Sequence, residues 1–352
     1  MSVLDRIEII CGDVRDVAAD VLVMKYANGL YGADLAVADR LSIDFHITKG
    51  QTKYFEGRFR ALPDRPFAAD WVLFFGVGGL FEFRYQQIRA FSAAILTELR
   101  ANRPDARIVA TTIHGPGYGL DEREAFTSQL LGYLDVKGEE LPTFEKLLIV
   151  ERDEQRAFRL GSILEDMKRP ENEFADLLTQ NFGGQPDPSS PERVGSDPFT
   201  RLAEDAFSLP PPAPAPAPLP VEKPKLFAAM PFAEKYMDEY DIAFVEAAHE
   251  HGFICERLDL ESYVGDVIDE IFKRIRDSSG VIALLNDNNP NVFLEVGYAM
   301  ASNTPVILIA HKDHDVAFDL KSQNRQTYGR IAELRRDLTK LIGDLKQQGT
   351  LV

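Results

Sequence analysis

The stretch Gly280-Val281-Ile282-Ala283-Leu284-Leu285-Asn286-Asp287-Asn288-Asn289-Pro290-Asn291-Val292-Phe293-Leu294-Glu295-Val296-Gly297-Tyr298-Ala299 decides the fold of the last third of the chain. An apolar run that reads as a strand over Gly280–Leu285 stops at a polar cluster, which reads as a loop entering a helix. Asn289 is a good N-cap and Pro290 suits the first helical position, so a helix starts there. Glu295 is then the only charge between Val292 and Met300. Desolvation raises the pKa of such a carboxyl, while the helix N-terminus favours its charged form. A carboxylate so placed can attack an anomeric carbon, or stabilise the oxocarbenium ion formed as a glycosidic bond breaks. The plainer alternative is a surface glutamate on a half-exposed helix, and periodicity alone leaves both open.

Around this stretch strands and helices alternate. Strands are expected at Leu226–Ala229, Phe253–Arg257, Gly280–Leu285 and Val306–Ala310, and helices at Glu234–Glu250, Asp266–Asp277, Asn291–Ser302 and Tyr328–Leu345. Val267, Ile268, Ile271, Phe272 and Ile275 share one helical face. Right-handed crossovers then give a flavodoxin-like, doubly wound parallel sheet whose ligand lies beyond the carboxyl ends of the strands. Three segments converge at that edge: Ala228-Ala229-Met230-Pro231-Phe232, Asp259 to Asp266, and Asn286 to Ala299.

Before this region, Pro210-Pro211-Pro212-Ala213-Pro214-Ala215-Pro216-Ala217-Pro218-Leu219-Pro220 reads as a polyproline II linker, either a tether or a stiff spacer that keeps two domains apart. The expected division is a domain over 1–170, a linker over 171–224 and a second domain over 225–352. The first domain also alternates, with strands at Ile7–Ile10, Val21–Met24, Trp71–Phe75, Ile108–Ile113 and Lys146–Val150. Its helices are Ala33–Leu41, Tyr85–Asn102, Arg123–Leu134 and Gln155–Lys168, which implies a three-layer α/β/α arrangement. Gly115, Gly117 and Gly119 follow a strand in His114-Gly115-Pro116-Gly117-Tyr118-Gly119-Leu120, where backbone amides can approach a diphosphate closely.

The formal charge of −17, from 39 basic and 56 acidic residues, argues against a surface that coats nucleic acid, but leaves room for a small anion at a glycine-rich turn. No apolar run is long enough to span a bilayer, and the N-terminus lacks the pattern of a signal peptide. Two cysteines, Cys11 and Cys255, one in each expected domain, fit a reducing cytoplasm. His249 and His251 are two apart on an expected helix and make a poor metal pair, so neither a metal nor a cofactor is expected.

Phe227-Ala228-Ala229-Met230-Pro231-Phe232, Gly265-Asp266-Val267 and Asn289 to Ala299 together resemble the nucleoside 2-deoxyribosyltransferase-like group, which is related to bacterial TIR-like nucleotide-binding proteins. Phe318-Asp319-Leu320 also fits. The resemblance implies that Glu295 is the nucleophile or key acid at the ribose C1′ and that Asp266 holds the sugar. Met230, Pro231, Phe232, Asp287, Asn289 and Asn291 would line the substrate. Many relatives carry an aspartate where this chain has Leu284, and Asp287 is the candidate substitute.

Residues 1–170 distantly resemble macro domains, including the macro-like N-terminal domain of leucine aminopeptidases. That resemblance implies that Asp13 binds adenine and that Gly115, Gly117, Tyr118 and Gly119 wrap a diphosphate. Met24 and Ala27 stand where catalytic macro domains usually carry asparagines, and the first glycine-rich loop is reduced to Asn28-Gly29-Leu30-Tyr31-Gly32. ADP-ribosyl hydrolysis is therefore not expected, and a binding or sensing role and a purely structural α/β domain both stay open. Together the resemblances imply a nucleotide-regulated effector that cleaves an N-glycosidic bond in NAD or a related nucleotide, similar to bacterial antiphage effectors, and assembled as a homo-oligomer. The alternatives are a housekeeping deoxynucleotide N-glycosidase or deoxyribosyltransferase, and a non-catalytic nucleotide-binding protein.

Overall fold

The computed structural model of the protein describes residues 3–57, 67–136, 144–169, 223–258, 267–315 and 325–352. Residues of the proline-rich stretch up to 222, the segment 259–266 with Gly265 and Asp266, and Phe318-Asp319-Leu320 lie outside the described residues.

Two α/β sheets are present. The N-terminal sheet contains β1 (Ile7–Cys11), β2 (Val21–Tyr26), β3 (Thr52–Glu56), β4 (Trp71–Gly76), β5 (Ile108–Thr112) and β6 (Lys146–Glu151), in the order β1-β6-β5-β2-β4-β3. Among these strands only β3 runs antiparallel, against β4. The helices are α1 (Gly32–Leu41), α2 (Tyr85–Asn102), α3 (Glu122–Leu134) and α4 (Glu154–Lys168). Strand alternation sends Val21, Val23, Leu147 and Ile149 to one face, against Ile88, Ile95, Phe126 and Leu160 of α2 to α4. Leu22, Met24, Leu148 and Val150 face the other way, against Val37 and Leu41 of α1. The expected three layers are therefore present. β2 is buried at every position, as a central strand with both faces covered must be.

The C-terminal sheet is wholly parallel, with β7 (Lys225–Ala229), β8 (Ile254–Glu256), β9 (Gly280–Leu284), β10 (Val306–His311) and β11 (Gln326–Tyr328) in the order β11-β10-β9-β7-β8. Its helices are α5 (Val245–Glu250), α6 (Val267–Arg276), α7 (Pro290–Ala301) and α8 (Ile331–Gln347). Leu226, Ala228, Ile282 and Leu284 face α5 and α8, while Phe227, Ala229, Val281 and Ala283 face α6 and α7. The order is the doubly wound one, and winding reverses between β7 and β9, the position at which folds of this order bind their ligands.

Two expected helices are corrected. The helix expected over Glu234–Glu250 is present but irregular: it opens with a 3₁₀ turn at Glu234–Tyr236 and carries a π-helical turn at Glu239–Phe244 that runs directly into α5. The wider turn lets adjacent Glu239 and Tyr240 both point inward, to the hydroxyl of Tyr328 at 2.6 Å and the carbonyl of Cys255 at 2.9 Å. The helix expected from Tyr328 begins only at Ile331, because Gln326–Tyr328 is an edge strand paired to β10.

The halves are docked, so a spacer that keeps them apart does not describe the molecule. Ile254 of β8 belongs to the N-terminal core and Phe81 packs on the C-terminal one. Buried Glu256 accepts from Arg84 at 2.7 and 2.8 Å and from the Tyr85 hydroxyl at 2.7 Å. Asp121 caps α3 through the amide of Glu124, and its other oxygen accepts from His249 Nε2 at 2.8 Å and the Cys255 amide at 3.0 Å. Gly119 lies so close to β8 that a Cβ there would sit 1.8 Å from the carbonyl oxygen of Arg257.

Asp121 is wholly buried, and burial alone would raise its pKa; hydrogen bonds and charge from His249, with the amides of Glu124 and Cys255, outweigh burial and hold it below the ordinary value. Its stabilisation is therefore present above about pH 4 and lost on acidification through the lowered pKa. Asp121→Ala removes the cap and both cross-junction bonds, and should lower unfolding free energy by about 3 kcal/mol. Thermal melting at pH 7 checks this; an unchanged melting temperature would show that the junction does not stabilise the fold.

Candidate functional site

The carboxyl edge of the C-terminal sheet is built from local sequence. Asn289 caps α7 as expected, its side-chain oxygen accepting from the amides of Asn291 at 2.9 Å and Val292 at 3.4 Å, with Pro290 in the first turn. Glu295 lies on the inner face of α7 with Val292, Val296 and Ala299, and is 6% exposed. Burial pushes its carboxyl up to about 8, and no charge or hydrogen bond among the described residues opposes that. The helix N-terminus does not rescue the charge, because Glu295 is the sixth residue of α7 and the dipole acts mainly within the first turn. The surface-glutamate alternative is thereby excluded. Near neutrality Glu295 is an acid holding its proton.

The other expected C-terminal residues divide. Met230 and Pro231 are buried where β7 ends, and Phe232 is exposed beyond them. Asp287 has φ +62° and pairs with Lys235 at 2.6 Å, which holds its carboxyl below the ordinary value. That bond ties the loop after β9 to the loop after β7, so Asp287 is already engaged. Leu284 is fully buried core. Asn291 is exposed at the start of α7.

Sequence reasoning missed Asn286. Its oxygen accepts from the His311 amide at 2.8 Å, and its amide donates to the Tyr328 hydroxyl at 2.9 Å, which donates to Glu239 at 2.6 Å. This chain fixes the ends of β9, β10 and β11 relative to one another. An asparagine in an Asn-rich loop carries no local mark of that long-range role.

In the N-terminal half a cavity of about 500 Å³ opens beside the glycine-rich turn and is lined by Gly115, Gly117 and Tyr118, three of the expected ligand residues. Gly117 has open space where a side chain would project. Gly12 and Val14 line the cavity, but the carboxylate of Asp13 between them is gripped by Arg15 at 2.5 and 2.8 Å and held well below the usual range. Gly119 faces the C-terminal half instead, its carbonyl accepting from Arg274 at 3.2 Å. The turn thus has two sides, one on the cavity and one on the junction.

The cavity also holds groups that the sequence did not reveal. Buried Lys25 of β2 bonds the carboxylate of Asp34 of α1 at 2.5 Å, and Asp34 also accepts from the Lys25 amide. Burial raises Asp34 despite Lys25. His114, at 1% exposure, has no hydrogen-bond partner among the described residues for either ring nitrogen; burial first, and the Lys25 charge second, keep it neutral. Among the described residues no group of three His, Cys, Asp or Glu side chains could hold a metal ion, and no helix is long and apolar enough to cross a membrane.

No protein-family profile matches the chain, and no curated protein does. Parts of it are similar to solved structures. A mutant macrodomain of Oceanobacillus iheyensis is 12% identical over 45% of this chain and 90% of its own, with a TM-score of 0.36. A Trypanosoma brucei macrodomain in complex with ADP-ribose is 19% identical over 44% and 67%, at 0.34. A CMP N-glycosidase of Clostridium botulinum is 19% identical over 34% of this chain and 99% of its own, at 0.29. The macrodomain similarity falls on the N-terminal region.

The raised pKa of Glu295 sets a pH signature. A carboxyl whose pKa rises from 4.5 to about 8 on folding contributes stability that is complete below pH 4.5 and is lost as pH climbs through 8. Glu295→Gln keeps the shape and removes that loss. The variant should match the wild type at pH 4.5 and exceed it increasingly towards pH 8, by up to about 1.4 kcal/mol per pH unit. Denaturant unfolding at the two pH values measures it; parallel stability curves would mean Glu295 is solvated.

Proposed function

We propose that the C-terminal half cleaves the N-glycosidic bond of NAD or a related nucleotide, with Glu295 as its essential carboxyl, and that a nucleotide in the N-terminal cavity regulates it. The observation that carries this reading is Glu295 itself, buried without a partner among the described residues, on the helix that leaves the carboxyl edge of a doubly wound sheet. Leaving-group chemistry gives its proton a use. A neutral base such as cytosine or adenine leaves more easily when protonated, and an acid with a pKa near 8 can deliver that proton. The resulting carboxylate then stabilises the oxocarbenium ion or bonds to C1′ until water completes hydrolysis. A nicotinamide is already cationic and needs no proton, so for NAD the ionised form is the active one. Asp266 remains the proposed partner for the ribose hydroxyls.

The regulatory part is supported by the turn after β5. Gly115, Gly117 and Tyr118 line the cavity, while the carbonyls of Tyr118 and Gly119 bind Arg274 of α6. Lys25 supplies a cation in the same cavity. The size of that cavity favours a second reading, nucleotide binding without catalysis.

Base release from NAD, CMP and other nucleoside monophosphates, followed by chromatography, separates the two readings. Glu295→Gln should lower turnover by at least about a thousandfold. For a monophosphate, kcat/KM should fall as pH rises through 8; for NAD it should rise through the same value. Wild-type rates in the Glu295→Gln protein would end the proposal. For the N-terminal cavity, calorimetry with ADP-ribose should give binding that weakens roughly tenfold or more in a Lys25→Met/Asp34→Asn protein, which removes both buried charges together. Equal affinity in the two proteins would place the ligand elsewhere.

A further inference from the structure

Arg257 follows β8 directly and is a guanidinium with no carboxylate among the described residues within salt-bridge distance. Its neighbours at the junction each have one: Arg84 binds Glu256, Arg274 binds Glu270, and Arg156 and Arg159 bind Glu122. Arg257 instead lies over the rings of Tyr240, at 4.2 Å, and Phe232, at 4.9 Å. Its terminal nitrogens point to the sulfurs of Met237 at 3.3 Å and Met230 at 4.0 Å. Ring faces and thioethers orient a guanidinium while accepting hydrogen bonds only weakly, so most of its donor capacity is uncommitted.

Arg257 also lines a cavity of about 250 Å³ between the two halves. The acids of that cavity are engaged: Glu122 by two arginines, Asp166 by Arg123, Glu246 by Arg335 and Asp241 by Arg159 at 3.6 Å. His249 in the same wall is held by Asp121. Burial further raises Asp241 towards its neutral form. Among the described residues of the cavity, Arg257 is the arginine with no carboxylate within salt-bridge distance, although its charge helps to lower the pKa of nearby Asp241.

We propose that Arg257 and this junction cavity form a binding site for a phosphate ester or diphosphate. A planar guanidinium fork matches phosphate oxygens, and two aromatic faces hold it ready. Resting on the nucleotide reading above, the phosphate has two possible sources. It belongs to the substrate, or to a separate effector at the junction. Position favours the substrate: β8, β7 and β9 are adjacent, so Arg257 and the loop after β9 stand two strand spacings apart, roughly 10 Å, the scale of a mononucleotide.

The test uses the full chain in the Lys25→Met/Asp34→Asn background, where the N-terminal cavity has lost its buried ion pair. Pyrophosphate, adenosine 5′-monophosphate and adenosine are titrated by calorimetry, with Arg257 intact, as Gln and as Lys. Arg257→Gln should weaken pyrophosphate and the monophosphate roughly ten- to hundredfold while leaving adenosine unchanged, and Arg257→Lys should restore part of the loss. Equal affinities in the Gln protein, or no binding of either phosphate compound when Arg257 is present, overturn the site. Steady-state kinetics identifies the source: competitive inhibition by pyrophosphate assigns the site to the substrate, and noncompetitive inhibition assigns it to an effector. Failure of the glycosidase reading is distinct, since it appears as no base released from any nucleotide while the calorimetric difference persists.

Discussion

Glu256 carries its carboxylate into the contact between two sheets, at 2% exposure, where Arg84, Tyr85 and Arg274 converge on it from both halves of the chain. Taking such a charge out of water costs several kcal/mol unless every oxygen is engaged. The partners meet that requirement only in the docked arrangement, so parting the halves would strand a carboxylate and two guanidinium groups in incomplete company. Much of the remaining geometry follows. With β8 fixed against the N-terminal half, Asp121 can reach His249 and Cys255, and the turn after β5 is pressed onto the backbone of Arg257. Direct backbone contact is possible there because the residue is a glycine, so one side of the supposed phosphate turn is a structural joint.

What the sequence made legible was local. The cap at Asn289, the start at Pro290 and the extent of α2 all depend on residues within a turn or two of each other, and they stand as read. The doubly wound parallel class follows from alternation and handedness, and the structure adds the flavodoxin-like strand order. Illegible were the pairs whose members lie far apart. Glu256 and Arg84 are separated by 172 residues, Asp121 and His249 by 128. Each of these charges looks in isolation like an ordinary solvated one. Lys25 in β2 reads as an interruption of an apolar strand until Asp34 is seen folded back over it. The edge strand Gln326–Tyr328 is too short to show a period, and its residues merge into the helical pattern that follows.

Glu295 shows how geometry decides between opposed effects that a sequence can only name together. A helix start and an apolar setting push a carboxyl in opposite directions. The sixth position of α7 lies beyond the turn where unpaired amides point, whereas burial acts wherever water is absent. Desolvation therefore wins, and of the two roles that the resemblance implies, nucleophile or key acid, the unliganded group stands as the acid. A bound cation would reverse that by offsetting the cost of ionisation, so the protonation state of Glu295 depends on what occupies the site.

The two-sided turn limits what regulation between the halves can be. A ligand in the N-terminal cavity shifts the C-terminal half only to the extent that it binds two arrangements of the junction unequally. The turn meets the conditions for this physically: Gly117 and Tyr118 face the cavity, and the carbonyls of Tyr118 and Gly119 receive Arg274, a residue of the helix packed beside α7. Gly119 has no slack against Arg257, so movement of the turn must displace β8, Arg274 or both. Coupling of this kind is reciprocal in binding free energy. A ligand at the carboxyl edge that rearranged β8 would change affinity in the N-terminal cavity by the same factor. The buried ion pairs make the docked arrangement one discrete state rather than a continuum, which such coupling requires.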